Sequence, residues 1–345
     1  MIIIIKKGGI MKKLRITGLI LAFILAFTGC MGAGTTDKNG STGQKDGKKL
    51  KIVASYYPAY DLVKQVAGDK AEVTNLTQTG SAHGYEPSIE DMKKIVDSDL
   101  LVVNGAGFES WLDKVKQANP NLTILDLSTG IELIKNEEAD HDHDHEGAED
   151  KHDHDHDHDH EGEGHHHHHG PNDPHIWLSL KNASKMLENA KNQLIKLDPQ
   201  SKDYFETNYN AYAKKLADLD KRYTEYLAPY KGRHFVVPHE AYGYLAKDYQ
   251  LNQLALEGIN SDSEPNLTRM AEITKIMKDK QIKTIFYEYA KSDKLAQAIA
   301  SEIGGNVKAL STLEVISDDL AQKGNDYASL MEMNLKNLVE SFEGK

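Results

Sequence analysis

The sequence predicts an α/β protein of two lobes, each with a mainly parallel sheet flanked by helices, joined by one long rigid helix. Two observations lead to this fold class. Short apolar runs alternate with amphipathic segments twice, first over residues 51–128 and again after residue 230. Between the two series, a helical pattern continues without a break over residues 199–227. Strands that are apolar throughout and separated by helices are typical of parallel sheets buried on both faces.

Residues 1–30 are predicted to be a lipoprotein signal peptide. Lysines precede a short apolar run at residues 20–27, which is too short for a comfortable membrane span. The "TGC" ending resembles a bacterial lipobox, and Cys30 is the only cysteine, so a disulfide within the chain is impossible. We therefore expect lipidation at Cys30. Met11 is the expected start of translation, because "KKGGIM" is what a purine-rich ribosome-binding site spells when it is read as codons.

Residues 31–50 have the Gly, Ser, Thr and Lys composition of a flexible tether, and the folded part is expected to start near Lys51. The N-terminal α/β lobe is predicted to span residues 51–178. Within it, Ser88 followed three residues later by Asp91 predicts a capping box at the start of a helix.

A histidine-rich run interrupts the first lobe at residues 137–170. It contains 13 of the 17 histidines, with 14 acidic residues and one lysine. Because the run is internal and mixed with acidic residues, it is not a purification tag. We expect a surface loop that binds Zn²⁺ weakly, as an accessory to a metal site formed by the folded part of the chain. The alternative is a solvated linker with no role. The expected accessory ligands are His141, His143, His145, His152, His154, His156, His158, His160, His165, His166, His167, His168 and His169.

A helical segment is predicted over residues 179–229, with the linking helix at 199–227. Asp198 before Pro199 is a helix N-cap followed by proline at the first helical position. The C-terminal α/β lobe then spans residues 230–345. Without a Gly- or Pro-rich hinge between the lobes, small tilts are expected in place of a large closure.

The net charge of −12 is local, because the histidine-rich run accounts for all of it and leaves the rest of the chain near neutral. Nucleic-acid binding needs clustered Lys and Arg side chains. The composition therefore predicts no nucleic-acid partner.

Four dispersed residues stand where parallel strands are expected to end. They are His83 in "GSAHGYEPS", His175 in "PNDPHIWLS", His239 in "FVVPHEAYG" and Glu288 in "TIFYEYAKSD". Open α/β sheets present ligand groups at the carboxyl ends of their strands. A single histidine is more often structural, and His234 is interpreted so, but four such positions together indicate a metal site.

These motifs resemble the metal-specific solute-binding proteins of bacterial ABC importers, in particular their zinc-specific lipoprotein branch. The resemblance runs from about Lys51 to the C-terminus and includes "DPHIWLS", "VVPHEAYGYLAKDYQL" and "TIFYEYAKSDKLAQAIASEIGG". It implies two lobes bridged by a rigid helix, with zinc held in the cleft by His83, His175 and His239. The glutamate of the "TIFYE" strand, Glu288, is the carboxylate expected to complete the set.

The resemblance also implies the partners and the location. We expect an extracytoplasmic monomer, anchored to the outer face of the cell membrane by its lipid, that delivers Zn²⁺ to the membrane permease of an ABC importer and its ATPase. The manganese branch typically has an additional acidic residue in the "LSTLEVIS" segment, where this chain has no Asp but has Glu314. Three imidazoles and one carboxylate suit tetrahedral zinc, although such sites also bind Cu²⁺ and Ni²⁺.

Two other classes of protein were weighed against this interpretation. A zinc hydrolase would fit the start of an HExxH motif in "PHEAYG", but Gly243 stands where the second histidine is required. A metal-buffering or adhesin-type surface lipoprotein without transport would share the same site. A permease gene and an ATPase gene beside this one would favour transport.

Overall fold

The structure is a computed structural model that describes residues 49–78, 80–136, 171–259, 266–289 and 291–345. The predicted signal peptide with Met11 and Cys30, most of the predicted tether and the histidine-rich run lie outside these residues. Across the described ranges, no helix combines the length and apolar character needed to cross a membrane.

The first lobe is built on four strands, which are β1 Leu50–Ala54, β2 Ala71–Asn75, β3 Leu100–Val103 and β4 Ile124–Asp126. They form one parallel sheet in the order β2-β1-β3-β4. Three helices connect them, α1 Tyr57–Ala67, α2 Ile89–Val96 and α3 Leu112–Ala118. Both faces of the sheet are covered, since Leu100 and Val102 join the central core while Leu101 and Val103 pack with α2 and α3. This is why the strands read as continuous apolar runs.

The capping box predicted for α2 is present. Ser88 Oγ accepts a hydrogen bond from Asp91 N at 3.2 Å, and Ser88 N donates to Asp91 Oδ2 at 3.2 Å. Two backbone donors at the start of the helix are thereby satisfied. This cap fixes the end of the loop that carries His83.

Two helices follow the first lobe, α4 Leu180–Leu197 and α5 Lys202–Leu227. The predicted long helix is confirmed, although its first turn, Pro199–Ser201, is a 3₁₀ turn whose Ser201 N donates to Asp198 Oδ1. The 26 residues of α5 contain no Gly or Pro. At 1.5 Å per residue the helix is roughly 39 Å long, which is enough to connect two lobes.

The second lobe repeats the topology of the first. Its strands are β5 His234–His239, β6 Asn252–Glu257, β7 Thr284–Tyr287 and β8 Asn306–Ala309. They form a parallel sheet in the order β6-β5-β7-β8. The helices are α6 Gly243–Tyr249, α7 Leu267–Asp279, α8 Lys294–Ile303, α9 Asp318–Gln322 and α10 Tyr327–Phe342. The predicted fold of two parallel-sheet lobes with a long helix between them is confirmed.

One continuous apolar core joins the two lobes. It includes Trp177 before α4, Leu216 of α5, Tyr242 of the second lobe and Tyr327 of α10, all of which are buried. Hydrogen bonds cross the same region, from Trp177 Nε1 to Thr312 O at 2.6 Å and from the Tyr327 hydroxyl to Trp177 O at 2.5 Å. Large separation of the lobes would expose this core, so the packing favours small tilts.

A buried carboxylate in this core ties α1 of the first lobe to α10 of the second. Asp61 Oδ2 accepts hydrogen bonds from Tyr327 N at 3.1 Å and from the Tyr212 hydroxyl at 3.2 Å. Burial raises the pKa of Asp61 from 3.8 to about 6, although its hydrogen bonds oppose the shift. The folded protein therefore holds the proton of Asp61 more tightly than the unfolded chain does.

We expect Asp61→Asn to flatten part of the pH dependence of stability. Since the pKa of Asp61 is raised in the folded state, its contribution is fully present below pH 4 and is lost as the pH rises through 6. Relative to the variant, the wild type should lose on the order of 2 to 3 kcal/mol between these limits. Urea unfolding of zinc-free protein at pH 4.5 and pH 7.5 measures this difference. An identical wild-type minus variant difference at both pH values would contradict it.

Candidate metal centre

The four predicted ligands reach the cleft in two different ways. His239 is the last residue of β5 and Glu288 directly follows β7, as expected for residues at the carboxyl ends of parallel strands. His83 instead lies in the loop between β2 and α2, and His175 directly precedes a 3₁₀ turn before α4. His234, interpreted as structural, is the first residue of β5, at the opposite end of that strand from His239.

The structure brings the three predicted histidines together with a glutamate. Ligand atoms of His83, His175, His239 and Glu314 all lie within 4.8 Å of one another, and all four residues are buried. The Nε2 atoms of His83 and His175 are 3.0 Å apart, and His83 Nε2 is 3.4 Å from Glu314 Oε1. His239 Nε2 is 3.8 Å from the same oxygen. Three imidazole nitrogens and one carboxylate oxygen thus face one small volume.

These distances fit a tetrahedral ion. Four ligands at 2.0–2.2 Å from a tetrahedral zinc lie roughly 3.3–3.6 Å apart. The pairs at 3.0, 3.4 and 3.8 Å are close to this spacing, whereas a pair as far apart as 4.8 Å would have to approach by roughly 1.2 Å. Neither His239 Nε2 nor Glu314 Oε1 has a hydrogen-bond partner, although both atoms are buried. Leaving such atoms unsatisfied is costly, and a bound cation removes that cost.

Glu288, the expected fourth ligand, lies on the other side of the His239 ring. Its Oε1 is 2.5 Å from Nδ1 of His239, whereas Nε2 of that ring faces Glu314. Its second oxygen, Oε2, forms an ion pair with Lys291 Nζ at 2.7 Å. The structure therefore groups Glu314, not Glu288, with the histidines. A carboxylate on the outer nitrogen of a metal-binding histidine fixes the orientation and tautomer of the ring.

Asp173 has the same relation to His175. Its Oδ1 is 2.8 Å from His175 Nδ1 and also accepts a hydrogen bond from the backbone N of His175 at 2.9 Å. With Nδ1 as the donor, Nε2 of His175 presents its lone pair to the site. Two of the three imidazoles are thus oriented by buried carboxylates.

The pKa shifts of His175 and Glu314 favour a bound cation, whereas the raised pKa of His239 means that a proton competes with the metal for that ring. Burial alone would lower the pKa of His239, but the hydrogen bond and charge of Glu288 outweigh it and raise the pKa. Burial lowers the pKa of His175 despite Asp173. For Glu314, burial would raise the pKa, yet the facing histidines, His83 foremost, hold it well below the usual 4.5. Glu314 is therefore ionised when positive charge faces it, which a divalent metal supplies.

A hydrogen-bonded network behind the site supports the segment that carries His175. Asn104 Nδ2 donates to Pro174 O at 2.9 Å, and its Oδ1 accepts from the Tyr56 hydroxyl at 2.7 Å. Glu109 in turn accepts the backbone N–H of Asn104 at 2.7 Å. Because all of these side chains are buried, the backbone beside His175 is held from inside the first lobe.

A cavity of about 460 Å³ lies directly beside the site. Its lining includes Glu288, Lys291 and Glu314, together with Ser311, Thr312 and Val315–Asp318. The two carboxylates are nearly buried, at 5% and 4% exposed, but both form part of the cavity wall. Glu314 therefore borders both the grouped ligand atoms and this cavity.

Sequence reasoning found three of the four grouped residues and weighed the fourth, Glu314, only as a feature of the manganese branch. It missed Asp173 and Asn104. The "DPH" motif contained a signal for Asp173, because an Asp two residues before a His can bond both its backbone and its ring. No local pattern marks Asn104, since its contact with Pro174 joins residues 70 positions apart.

Comparison with known proteins identifies the family. A family model described as "Zinc-uptake complex component A periplasmic" matches residues 52–341, which is most of the chain. The chain belongs to this family. It is a family of periplasmic solute-binding components for zinc uptake and not a family of enzymes, as the motifs had indicated.

Named relatives and solved structures agree with this family. The "High-affinity zinc uptake system protein ZnuA" of Bacillus subtilis (strain 168) is 35% identical over 325 residues, covering 93% of this chain and 95% of the relative. The "Zinc-binding lipoprotein AdcA" of Streptococcus pneumoniae (strain ATCC BAA-255 / R6) is 38% identical over 304 residues, or 86% of this chain. The chain spans only 56% of the length of that AdcA.

A crystal structure of the Zn(II)-bound ZnuA-like domain of Streptococcus pneumoniae AdcA has the same fold. It superposes with a TM-score of 0.69 at 34% sequence identity, covering 85% of this chain and 99% of the domain. The ZnuA-like fold expected from the motifs is therefore confirmed by both sequence and structure.

We expect Glu314→Gln and Glu288→Gln to separate the roles of the two glutamates. An amide is a poor substitute for a zinc-binding carboxylate, so Glu314→Gln should weaken zinc binding by about 10- to 1,000-fold. Glu288→Gln keeps an acceptor for His239 Nδ1 and should cost less than about 10-fold, below the usual loss for a missing outer partner. Competition titration with a chromophoric chelator measures both. A larger loss for Glu288→Gln would mean that the expected ligand set of His83, His175, His239 and Glu288 is the right one.

Proposed function

We propose that the chain captures one Zn²⁺ ion outside the cytoplasm and delivers it to the membrane permease of an ABC importer. The ion binds to His83, His175, His239 and Glu314. The observation that carries this proposal is the buried group of three imidazoles and one carboxylate, whose ligand atoms lie within 4.8 Å of one another. The zinc-uptake family supports the same metal.

The ligand set favours zinc over manganese and over catalysis. Three nitrogens and one oxygen suit a small tetrahedral ion, whereas Mn²⁺ prefers more oxygen ligands and a higher coordination number. Glu288 would add an oxygen, but it is engaged by His239 and Lys291. Four protein ligands also leave no open position for an activated water, so the site is suited to holding an ion and not to hydrolysis.

The division of the ligands between the lobes suggests how the ion is released. His83 and His175 come from the first half of the chain, and His239 and Glu314 come from the second lobe. A small tilt between the lobes would separate the two pairs and leave each with half of the ligands. Because affinity depends on all four ligands acting together, a movement too small to break the shared core is enough to weaken zinc binding.

The family and the N-terminal sequence support a proposal for the location and the partners. We propose a monomer that Cys30 anchors to the outer face of the cell membrane. The importer's permease and its ATPase then receive the zinc. The histidines of residues 137–170 act as accessory weak sites that raise the local zinc concentration near the cleft, in keeping with the affinity of imidazole for zinc.

Two histidines of β5 provide a matched test of the proposed site. His239→Ala removes a ligand and should weaken zinc by about 10- to 1,000-fold, whereas His234→Ala, at the other end of the same strand, should leave zinc affinity unchanged. Both variants are made in a mature-length chain without residues 137–170, so that weak sites do not interfere. Equal effects of the two variants, or wild-type binding of Mn²⁺ as tight as that of Zn²⁺, would contradict the proposal.

Deleting residues 137–170 should leave one tight zinc site and remove several weaker ones. The reason is that the tight site is supplied entirely by the folded lobes. Calorimetric titration of the full mature-length chain and of the deleted chain counts the sites. Loss of the tight site on deletion would show that the histidine-rich run supplies a required ligand.

A further inference from the structure

Two short segments that flank residues 137–170 form an antiparallel stem, residues 134–136 with residues 171–173. Lys135 lies opposite Asn172, and one backbone hydrogen bond lies on each side of this pair. Asn136 N donates to Pro171 O at 2.9 Å, and Asp173 N donates to Ile134 O at 2.8 Å. In an antiparallel ladder, residues on either side of such a pair normally exchange two bonds each.

In each of these two residue pairs, the reciprocal backbone hydrogen bond is not a direct contact. Pro171 has no N–H and therefore cannot donate to Asn136. The other reciprocal bond, from Ile134 N to Asp173 O, is relayed by a side chain of the second lobe. The Tyr244 hydroxyl accepts from Ile134 N at 3.0 Å and donates to Asp173 O at 2.8 Å. A single hydroxyl thus completes the ladder between the two segments.

The residue held in this way is the one that orients a zinc ligand. Asp173 Oδ1 accepts hydrogen bonds from both the backbone N and Nδ1 of His175. The main chain of Asp173 is fixed by Ile134 on one side and by the Tyr244 hydroxyl on the other. Tyr244 and Asp173 are only 4% and 3% exposed, so water is poorly placed to replace a lost hydroxyl.

The start of α6 also fits closely against the Asp173 side chain. A Cβ on Gly243 would lie 2.8 Å from Asp173 Oδ2, closer than real Cβ contacts allow. Gly243, which breaks the HExxH pattern, therefore leaves the space that the Asp173 carboxylate occupies. Two neighbouring residues of α6 thus set the position of Asp173.

We propose that Tyr244 is a positioning residue for the zinc site, acting through Asp173 on His175. The inference rests on the proposed zinc function of the four grouped residues. Tyr244 belongs to the second lobe, while Asp173 and His175 precede the linking helices. The hydroxyl therefore fixes a ligand of the first half of the chain relative to His239, which lies five positions before Tyr244.

Tyr244→Phe tests this role, because it removes the hydroxyl and keeps the ring. Loss of an outer partner of a zinc ligand typically costs 10- to 100-fold in affinity, and Tyr244 acts one step further out, so we expect a loss of about 3- to 30-fold. Tyr249→Phe is the matched control, since it removes a hydroxyl from the same helix that bonds Asp220 at 2.7 Å away from the stem. Tyr249→Phe should leave zinc affinity unchanged.

Three further measurements distinguish positioning from general stability. Tyr244→Phe should change the visible absorption of the Co²⁺-substituted protein, whereas Tyr249→Phe should not. In a double-mutant cycle with Asp173→Ala, the two losses should be less than additive, because Tyr244 acts through Asp173. Gly243→Ala places a methyl group against the same carboxylate and should also lower the affinity for zinc. It provides the test if Tyr244→Phe does not fold.

The outcomes separate this inference from the proposed function. If the wild type binds zinc tightly and Tyr244→Phe binds it equally well with an unchanged Co²⁺ spectrum, the positioning role is wrong and the zinc function stands. Additive losses with Asp173→Ala would likewise overturn it. If the wild type itself binds no zinc tightly, it is the proposed function that fails.

Discussion

Three imidazoles and a carboxylate share one small buried volume, and much of the surrounding structure is organised around that constraint. His83, His175, His239 and Glu314 are each at most 4% exposed. An ionised carboxylate is expensive to bury unless positive charge faces it. A divalent cation supplies that charge and also satisfies atoms such as His239 Nε2 and Glu314 Oε1.

The outer contacts explain how such a site remains ordered. Glu288 and Asp173 each hold one imidazole by its Nδ1, so the metal-facing nitrogens are set before an ion arrives. Asn104 fixes the backbone beside His175 from within the first lobe, and Tyr244 fixes Asp173 from the second. The ligands therefore pay little ordering entropy on binding, which favours high affinity.

The same arrangement reconciles tight binding with delivery. The lobes share an apolar core around Trp177 and Tyr327, so they resist wide opening. Each lobe nevertheless contributes only two ligands, and Glu314 also lines a cavity beside the site. In the proposed delivery step, a small change in the angle between the lobes would convert a four-ligand site into two weak pairs.

Much of the fold could be predicted because its signals are local. Apolar runs identified the strands, and the Ser88 and Asp198 caps marked the positions where helices begin. The three histidines could be predicted for a similar reason, since lone histidines near expected strand ends are few. Glu288 was expected in place of Glu314 because the resemblance pointed to it. Both glutamates follow neighbouring strands, β7 and β8, and the sequence does not say which side of the His239 ring each one meets.

The support from Asn104 and Tyr244 was missed for a related reason. The hydroxyl of Tyr244 meets Asp173 across 71 positions of sequence, and the contact depends on the register of a stem that no periodicity marks. Local patterns predict elements and their ends, whereas the atoms around a ligand are fixed by how distant elements meet.

The proposed site holds one zinc ion between the lobes, bound by His83, His175, His239 and Glu314. Anomalous diffraction from crystals of the zinc-loaded protein, recorded on both sides of the zinc absorption edge, locates the ion directly. We expect a single strong peak at about 2.0–2.2 Å from the three Nε2 atoms and from a Glu314 oxygen, with Glu288 on His239 Nδ1. A peak bonded to Glu288 and not to Glu314, or no peak between the lobes, would contradict it.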